Sequence, residues 1–119
     1  MPSIAVVGAS SKREKYGNKC VRAFLRLGWT VYPVNPGETE IEGLSVYKSV
    51  VDVPRPIDRI ALYLPPKRVV TVLDEIAQTG CKEVYFNPGT ESKEGLAKAR
   101  ELGIDPIEAC VIVTFGERP

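Results

Sequence analysis

Apolar residues in this chain fall into short consecutive runs. Between the runs lie segments whose apolar positions recur every three or four residues. Ser3-Ile4-Ala5-Val6-Val7 is largely β-branched and is stopped by Gly8, the pattern of a buried strand. After a polar stretch from Ser10 to Asn18, Val21, Phe24 and Leu25 share a helical face, and Gly28 suits the helix end. Trp29 to Val34 reads as a second strand. It is closed by Asn35-Pro36-Gly37, in which proline fixes φ and glycine permits a positive one. Glu38 to Pro56 is less regular, and a short strand near Leu44–Val46 and a helical turn near Lys48–Val51 are expected there.

Ile57 to Leu64 predicts a central strand. Pro65-Pro66 then opens a helix, because the first-turn N–H groups need no helical partner. Val69, Val72, Leu73, Ile76 and Ala77 form its apolar stripe, and Gly80 ends it. Glu83 to Phe86 is another strand, followed by Asn87-Pro88-Gly89. Ser92 suits the cap of a helix bearing Leu96, Ala99 and Leu102 and ending at Gly103. Between Asp105 and Phe115 the apolar positions run consecutively from Cys110, which favours a short strand followed by a helix over one last strand.

Strands alternating with helices of 10–15 residues imply βαβ units and a parallel sheet covered on both faces. Right-handed crossovers then predict an α/β, Rossmann-like, doubly wound sheet of about five strands. In such a sheet ligands sit beyond the carboxyl ends of the strands, where the strand order reverses. The loops at those ends, Gly8–Asn18, Asn35–Glu38, Tyr63–Lys67 and Asn87–Ser92, are the candidate site.

Composition narrows the chemistry. At 119 residues, one domain over residues 1–119 is expected. The formal charge of +1, from 16 basic and 15 acidic residues, argues against a duplex-DNA binder. No apolar run approaches the length of a membrane span, and Met1-Pro2-Ser3 does not open a secretory signal. There is no histidine, which removes Ser–His and Cys–His nucleophile pairs and histidine zinc sites. Cys20, Cys81 and Cys110 are scattered and form no Cys-x-x-Cys pair, so reduced, mostly buried thiols in a cytoplasmic protein are expected.

The first loop carries the clearest chemistry. In Gly8-Ala9-Ser10-Ser11-Lys12-Arg13, glycine lets the backbone turn sharply, and the serines and the N–H groups ahead of a helix suit an anion such as a diphosphate. Lys12, Arg13, Lys15, Lys19 and Arg22 stand against the single acid Glu14. A nicotinamide dinucleotide is disfavoured on two grounds. The loop lacks two of the three glycines of Gly-x-Gly-x-x-Gly, and Val34-Asn35-Pro36 offers no acid for the ribose. No basic group that would suit NADP precedes Glu38 either.

Four segments together resemble a known family: Val6-Val7-Gly8-Ala9-Ser10, Val31-Tyr32-Pro33-Val34-Asn35-Pro36, Tyr63-Leu64-Pro65-Pro66 and Phe86-Asn87-Pro88-Gly89-Thr90-Glu91. From about Ile4 to Phe115 the chain is similar to the small single-domain CoA-binding proteins, whose domain is similar to that of succinyl-CoA synthetase alpha subunits. The resemblance implies binding of coenzyme A or an acyl-CoA. Gly8, Ala9, Ser10, Ser11, Lys12 and Arg13 would hold the diphosphate, and Asn35, Pro36 and Gly37 would border the adenosine and its 3′-phosphate. Tyr63, Leu64 and Pro65 would wall the nucleotide, and Asn87, Pro88 and Gly89 would lie near the pantetheine arm.

Two departures limit what is carried over. Glu38 stands where those synthetases commonly have a lysine. The phosphorylated histidine and the large grasp domains of the synthetases are also missing, so ligase activity does not come with the fold. Other candidate reactive groups are few. Asp58 and Arg59 read as a surface pair, Glu91 as a helix-start carboxylate, and Cys110, between Ala109 and Val111, as a buried thiol that would need nearby positive charge to react with the CoA thiol. The expectation is a non-catalytic CoA-binding module, a sensor, carrier or regulatory partner, with no metal and no nucleic-acid or membrane partner; the sequence leaves a protein partner and the oligomeric state open. The alternatives are an NAD(P)-dependent oxidoreductase and an interaction domain with a vestigial nucleotide site.

Overall fold

The computed structural model describes residues 2–119. Its main sheet has five parallel strands: β1 (Ser3–Val7), β2 (Thr30–Val34), β5 (Arg59–Leu62), β6 (Glu83–Phe86) and β7 (Asp105–Ile107), in the order β2-β1-β5-β6-β7. Two short strands, β3 (Glu40–Ile41) and β4 (Leu44–Ser45), form a separate antiparallel hairpin. The helices are α1 (Tyr16–Arg26), α2 (Pro66–Thr79), α3 (Lys93–Glu101) and α4 (Val111–Thr114), with a 3₁₀ turn at Val50–Asp52. The expected α/β doubly wound architecture is the observed one.

Every residue of β1 is buried, because helices cover both faces of the sheet. Alternation along the strand assigns the faces. Ala5 and Val7 pack with Leu62, Phe86 and the stripe of α2, Val69, Leu73 and Ile76. Ile4 and Val6 pack with Cys20, Val21 and Phe24 of α1 and with Val111 and Ile112 of α4. On that second face Phe24 meets Trp29 and Phe115 edge to face, with ring centroids 4.9 and 5.4 Å away.

Element ends follow local chemistry. Gly80 ends α2 at a φ of 79°, and the Ser92 hydroxyl accepts the Gly95 N–H at 3.0 Å to cap α3. The last segment is the strand-then-helix alternative. Two boundaries and one pairing differ from expectation. Helix α1 begins at Tyr16, inside the polar stretch, because its first turn packs on the preceding loop. The expected strand Ile57–Leu64 shortens to Arg59–Leu62. Asp58 leaves the ladder and accepts the Ser3 N–H at 2.8 Å, while Arg59 pairs with Glu83, so the two are not a pair with each other.

Phe24 is fully buried, so Phe24→Ala is expected to cost about 3–5 kcal/mol in urea-induced unfolding. A loss below about 1 kcal/mol would contradict its place in the packed aromatic cluster.

Candidate functional site

Strands β1 and β5 are neighbours, yet the chain leaves β1 towards β2 and returns to β5 on the other side. This is the topological switch point, where a doubly wound sheet opens a crevice. Gly8 and Tyr63 stand there, each just past its strand. The Gly8 N–H donates to the Val34 carbonyl at 3.0 Å and the Tyr63 N–H donates to the Val7 carbonyl at 2.8 Å, extending the ladder by one residue. Gly8 has a φ of 92°, and a Cβ there would lie 2.3 Å from the Tyr63 carbonyl oxygen. A Cβ on Gly17, in the first turn of α1, would lie 2.6 Å from the Gly8 carbonyl oxygen. Gly17 therefore lets the helix approach the loop, the service that the last glycine of the dinucleotide fingerprint gives. It stands outside that fingerprint's spacing, and a glycine in an early helical turn is its only trace in the sequence.

Side chains fix the loops. The Asn18 amide donates to the Ser10 carbonyl at 2.9 Å, and the Ser10 hydroxyl accepts the Lys12 N–H at 3.1 Å. The Asn35 amide donates to the Ala9 carbonyl at 2.8 Å, and its side-chain oxygen accepts the Gly37 N–H at 2.8 Å. Asn87, buried, donates to the Leu62 carbonyl at 3.0 Å and accepts the Val111 N–H at 2.9 Å. The two Asn-Pro-Gly turns thus tie strand ends to neighbouring segments, so their asparagines do structural work as well.

The cleft above the strand ends encloses about 1490 Å³, larger than the roughly 300–1,000 Å³ usual for compact small ligands. It brings together Gly8, Ala9, Ser10, Ser11, Lys12, Asn35, Pro36, Tyr63, Leu64, Pro65, Asn87, Pro88 and Gly89. Arg13 and Gly37 do not line it. The Arg13 side chain is turned to Glu42, 3.9 Å away. Of the other basic residues near the loop, Arg22 is held by Asn18 at 2.7 Å and Lys19 lies over the Tyr16 ring, whereas Lys15 lines the cleft. Lys48 and Arg68 also line it, brought in by the chain after β4 and by α2. Lone cations on distant segments carry no motif, so the sequence did not mark them. Lys12, Lys15, Lys48 and Arg68 have no carboxylate partner among the described residues.

The corner at Val34-Asn35-Pro36 has an acid as its neighbour, beyond the turn. Glu38 reaches back to the first loop, and its carboxylate oxygens accept the Ser11 N–H at 3.0 and 3.2 Å. Glu91 lies outside this cleft and accepts the Gly89 N–H at 3.0 Å. Burial raises the Cys20 thiol to about 12 and Cys81 to about 11, and it raises the Tyr63 phenol, whose hydroxyl is enclosed beside Cys20. Cys110 is half-buried and opens into the cleft, more accessible than its apolar neighbours imply. Among the described residues no cluster of histidine, cysteine or carboxylates suits a metal ion, and no helix is long and apolar enough to cross a membrane.

The likenesses to known proteins agree with this geometry. A family model described as a CoA binding domain matches residues 2–116. The alpha subunit of ADP-forming acetate–CoA ligase I of Pyrococcus furiosus is 41% identical over 88 residues, which cover 69% of this chain and 19% of the subunit. A conserved hypothetical protein of Pyrococcus furiosus superposes with a TM-score of 0.90 at 38% identity, covering 96% of this chain and 99% of that one. The dinucleotide-forming acetyl-coenzyme A synthetase 1 of Ca. Korarchaeum cryptofilum, in complex with phosphate and ADP, gives a TM-score of 0.80 at 32% identity, covering 90% of this chain and 25% of that one. The chain spans about a fifth of the length of the ligase subunits it matches.

At pH 8 a thiol raised to about 12 is ionised in roughly one molecule in 10⁴. Iodoacetamide is therefore expected to alkylate Cys110 first, leaving Cys20 and Cys81 unmodified until the protein unfolds, as read by peptide mass spectrometry. Labelling of Cys20 at the rate of Cys110 in the folded protein would contradict the assigned burial.

Proposed function

The chain belongs to the CoA binding domain family, and from that premise we propose that it holds coenzyme A or an acyl-CoA in the strand-end cleft without transforming it. The observation that carries the reading is the glycine turn at the switch point, where a left-handed backbone opens a helix-entry loop beside unpaired cations. Such a turn suits a diphosphate. In this reading Gly8 to Lys12 cradle the diphosphate with Arg13 at the margin, and Asn35 and Pro36 border the adenosine with Gly37 at the margin. Tyr63, Leu64 and Pro65 form the apolar wall, and Asn87, Pro88 and Gly89 flank the neutral pantetheine arm. The cleft's volume of about 1490 Å³ leaves room for a ligand with a charged head and an extended amide tail.

The reading is non-catalytic: the Ser49 hydroxyl and the Glu75 carboxylate, 2.7 Å apart on the cleft wall, tie the 3₁₀ turn to α2. The chain has no histidine, the Tyr63 phenol is held neutral by burial, and the Glu91 carboxylate is turned to its own loop. A binding module of this kind serves as a sensor, a carrier or a regulatory partner, acting as one domain. The named ligases carry a similar domain within much longer chains, so a protein partner that supplies chemistry fits the same reading. A nicotinamide dinucleotide is the second reading, and Glu38 beside the second strand is the observation in its favour.

Thermal melts separate them. CoA at a hundredfold excess over its dissociation constant is expected to raise the Tm by on the order of 10 °C, with NAD and NADP giving less. No shift at millimolar CoA, or a larger one with NAD, would overturn the reading. Because the phosphate contacts are exposed, CoA affinity is expected to fall as salt rises. Joint replacement of Lys12 and Lys15 by alanine is expected to weaken CoA binding about tenfold in calorimetry; unchanged affinity would place the diphosphate elsewhere.

A further inference from the structure

We propose that Glu38 makes the cleft discriminate adenine nucleotides by the phosphorylation of their ribose. It favours a CoA-type ligand whose 3′-hydroxyl is free, dephospho-coenzyme A, over the 3′-phosphorylated form. The inference rests on the CoA reading above and deepens it.

Glu38 lies four residues beyond the end of β2, yet its carboxylate sits at the first loop, with both oxygens on the Ser11 N–H. That contact holds a negative charge between the loop and the Asn35-Pro36 corner. A carboxylate beside the second strand of a doubly wound sheet is placed to accept a hydrogen bond from the ribose 2′-hydroxyl; both ligands keep that group, so the discrimination rests on the charge beside the 3′ position. A carboxylate offers about four acceptor positions, so one N–H leaves room for them.

The same corner has few donors to spare for a phosphate. The Asn35 amide already donates to the Ala9 carbonyl, and the Asn35 backbone N–H donates to the Tyr47 carbonyl at 2.9 Å. Pro36 has no N–H, and the Gly37 N–H is taken by the Asn35 side chain. Among the described residues no cation pairs with Glu38, and Arg13, the arginine of the adjoining loop, is turned to Glu42 instead. The corner therefore presents an acceptor and a negative charge to the ribose. A 3′-hydroxyl can donate to the carboxylate, whereas a 3′-phosphate meets its charge. The cation best placed to compensate is Lys48. It follows Tyr47, whose N–H and carbonyl bond to Pro33 and Asn35 at the end of β2.

Calorimetry of the full chain with CoA and with dephospho-CoA tests this, because the two ligands share the diphosphate, the pantetheine arm and the thiol. The wild-type protein is expected to bind dephospho-CoA about five- to tenfold more tightly, the size of a like-charge contact near a surface. In Glu38→Gln the ratio is expected to shrink to within about twofold, with thermal melts confirming the fold. A wild-type preference for CoA, or a ratio unmoved by Glu38→Gln, would overturn the inference and leave the CoA reading standing. A CoA preference that disappears in Lys48→Ala would overturn it as well, by giving the 3′-phosphate to Lys48. Failure of both ligands to bind the wild-type protein would sink the CoA reading itself, and this inference with it. The wild-type ratio decides the matter even if the variant folds poorly.

Discussion

Three stretches of backbone meet at Gly8 with no space for a side chain. The turn after β1 presses against the Tyr63 carbonyl, and the first turn of α1, through Gly17, presses against the Gly8 carbonyl. The hydrogen bond from Gly8 to Val34 draws in the end of β2 as well. A residue with a Cβ at position 8 would meet both a steric clash and a left-handed φ. The close approach seats the helix entry on the strand ends. Without it the crevice would lose its floor.

The polar loops around that floor are ordered by satisfying backbone groups that would otherwise be buried and unpaired. Asn87 serves a strand-end carbonyl and the N–H at the start of α4. Asn35 braces the first loop through the Ala9 carbonyl. These asparagines hold the cleft open before any ligand arrives, which reduces the ordering cost of binding. The apolar core beneath is continuous on both faces of the sheet, so the rim is carried by rigid strands.

Charge at the rim is local and has little to do with the net charge of the chain. Among the described residues four cations without a carboxylate partner line a cleft in a nearly neutral molecule, and acids enter the same cleft from other segments. Which ligand anions are tolerated depends on where each charge stands. Lys12 and Lys15 come with the first loop, Lys48 arrives beside β2 and Arg68 with α2. Glu38 places a countercharge on the loop itself. The resemblance in sequence speaks for the ligand class, and this distribution of charge bears on the choice within the class.

The sequence by itself determined the alternation of strands and helices, the doubly wound class and the loops that would face a ligand. Those features depend on periodicity and on turn residues, which act over a few neighbours. Gly80 and Ser92 ended and capped their helices as local chemistry dictates. The four loops were legible because glycine, proline and asparagine punctuate the ends of apolar runs. Only the tertiary structure decided the start of α1, the role of Gly17, the departure of Arg13 and Gly37 from the cleft, and the entry of Lys48, Arg68 and Glu38. Each depends on contacts between segments far apart in the chain: a helix lodged on a loop, an arginine drawn to a hairpin acid, a carboxylate folded back on an amide 27 positions away. Such contacts have no period or spacing of their own, so the sequence holds the residues without their meeting place.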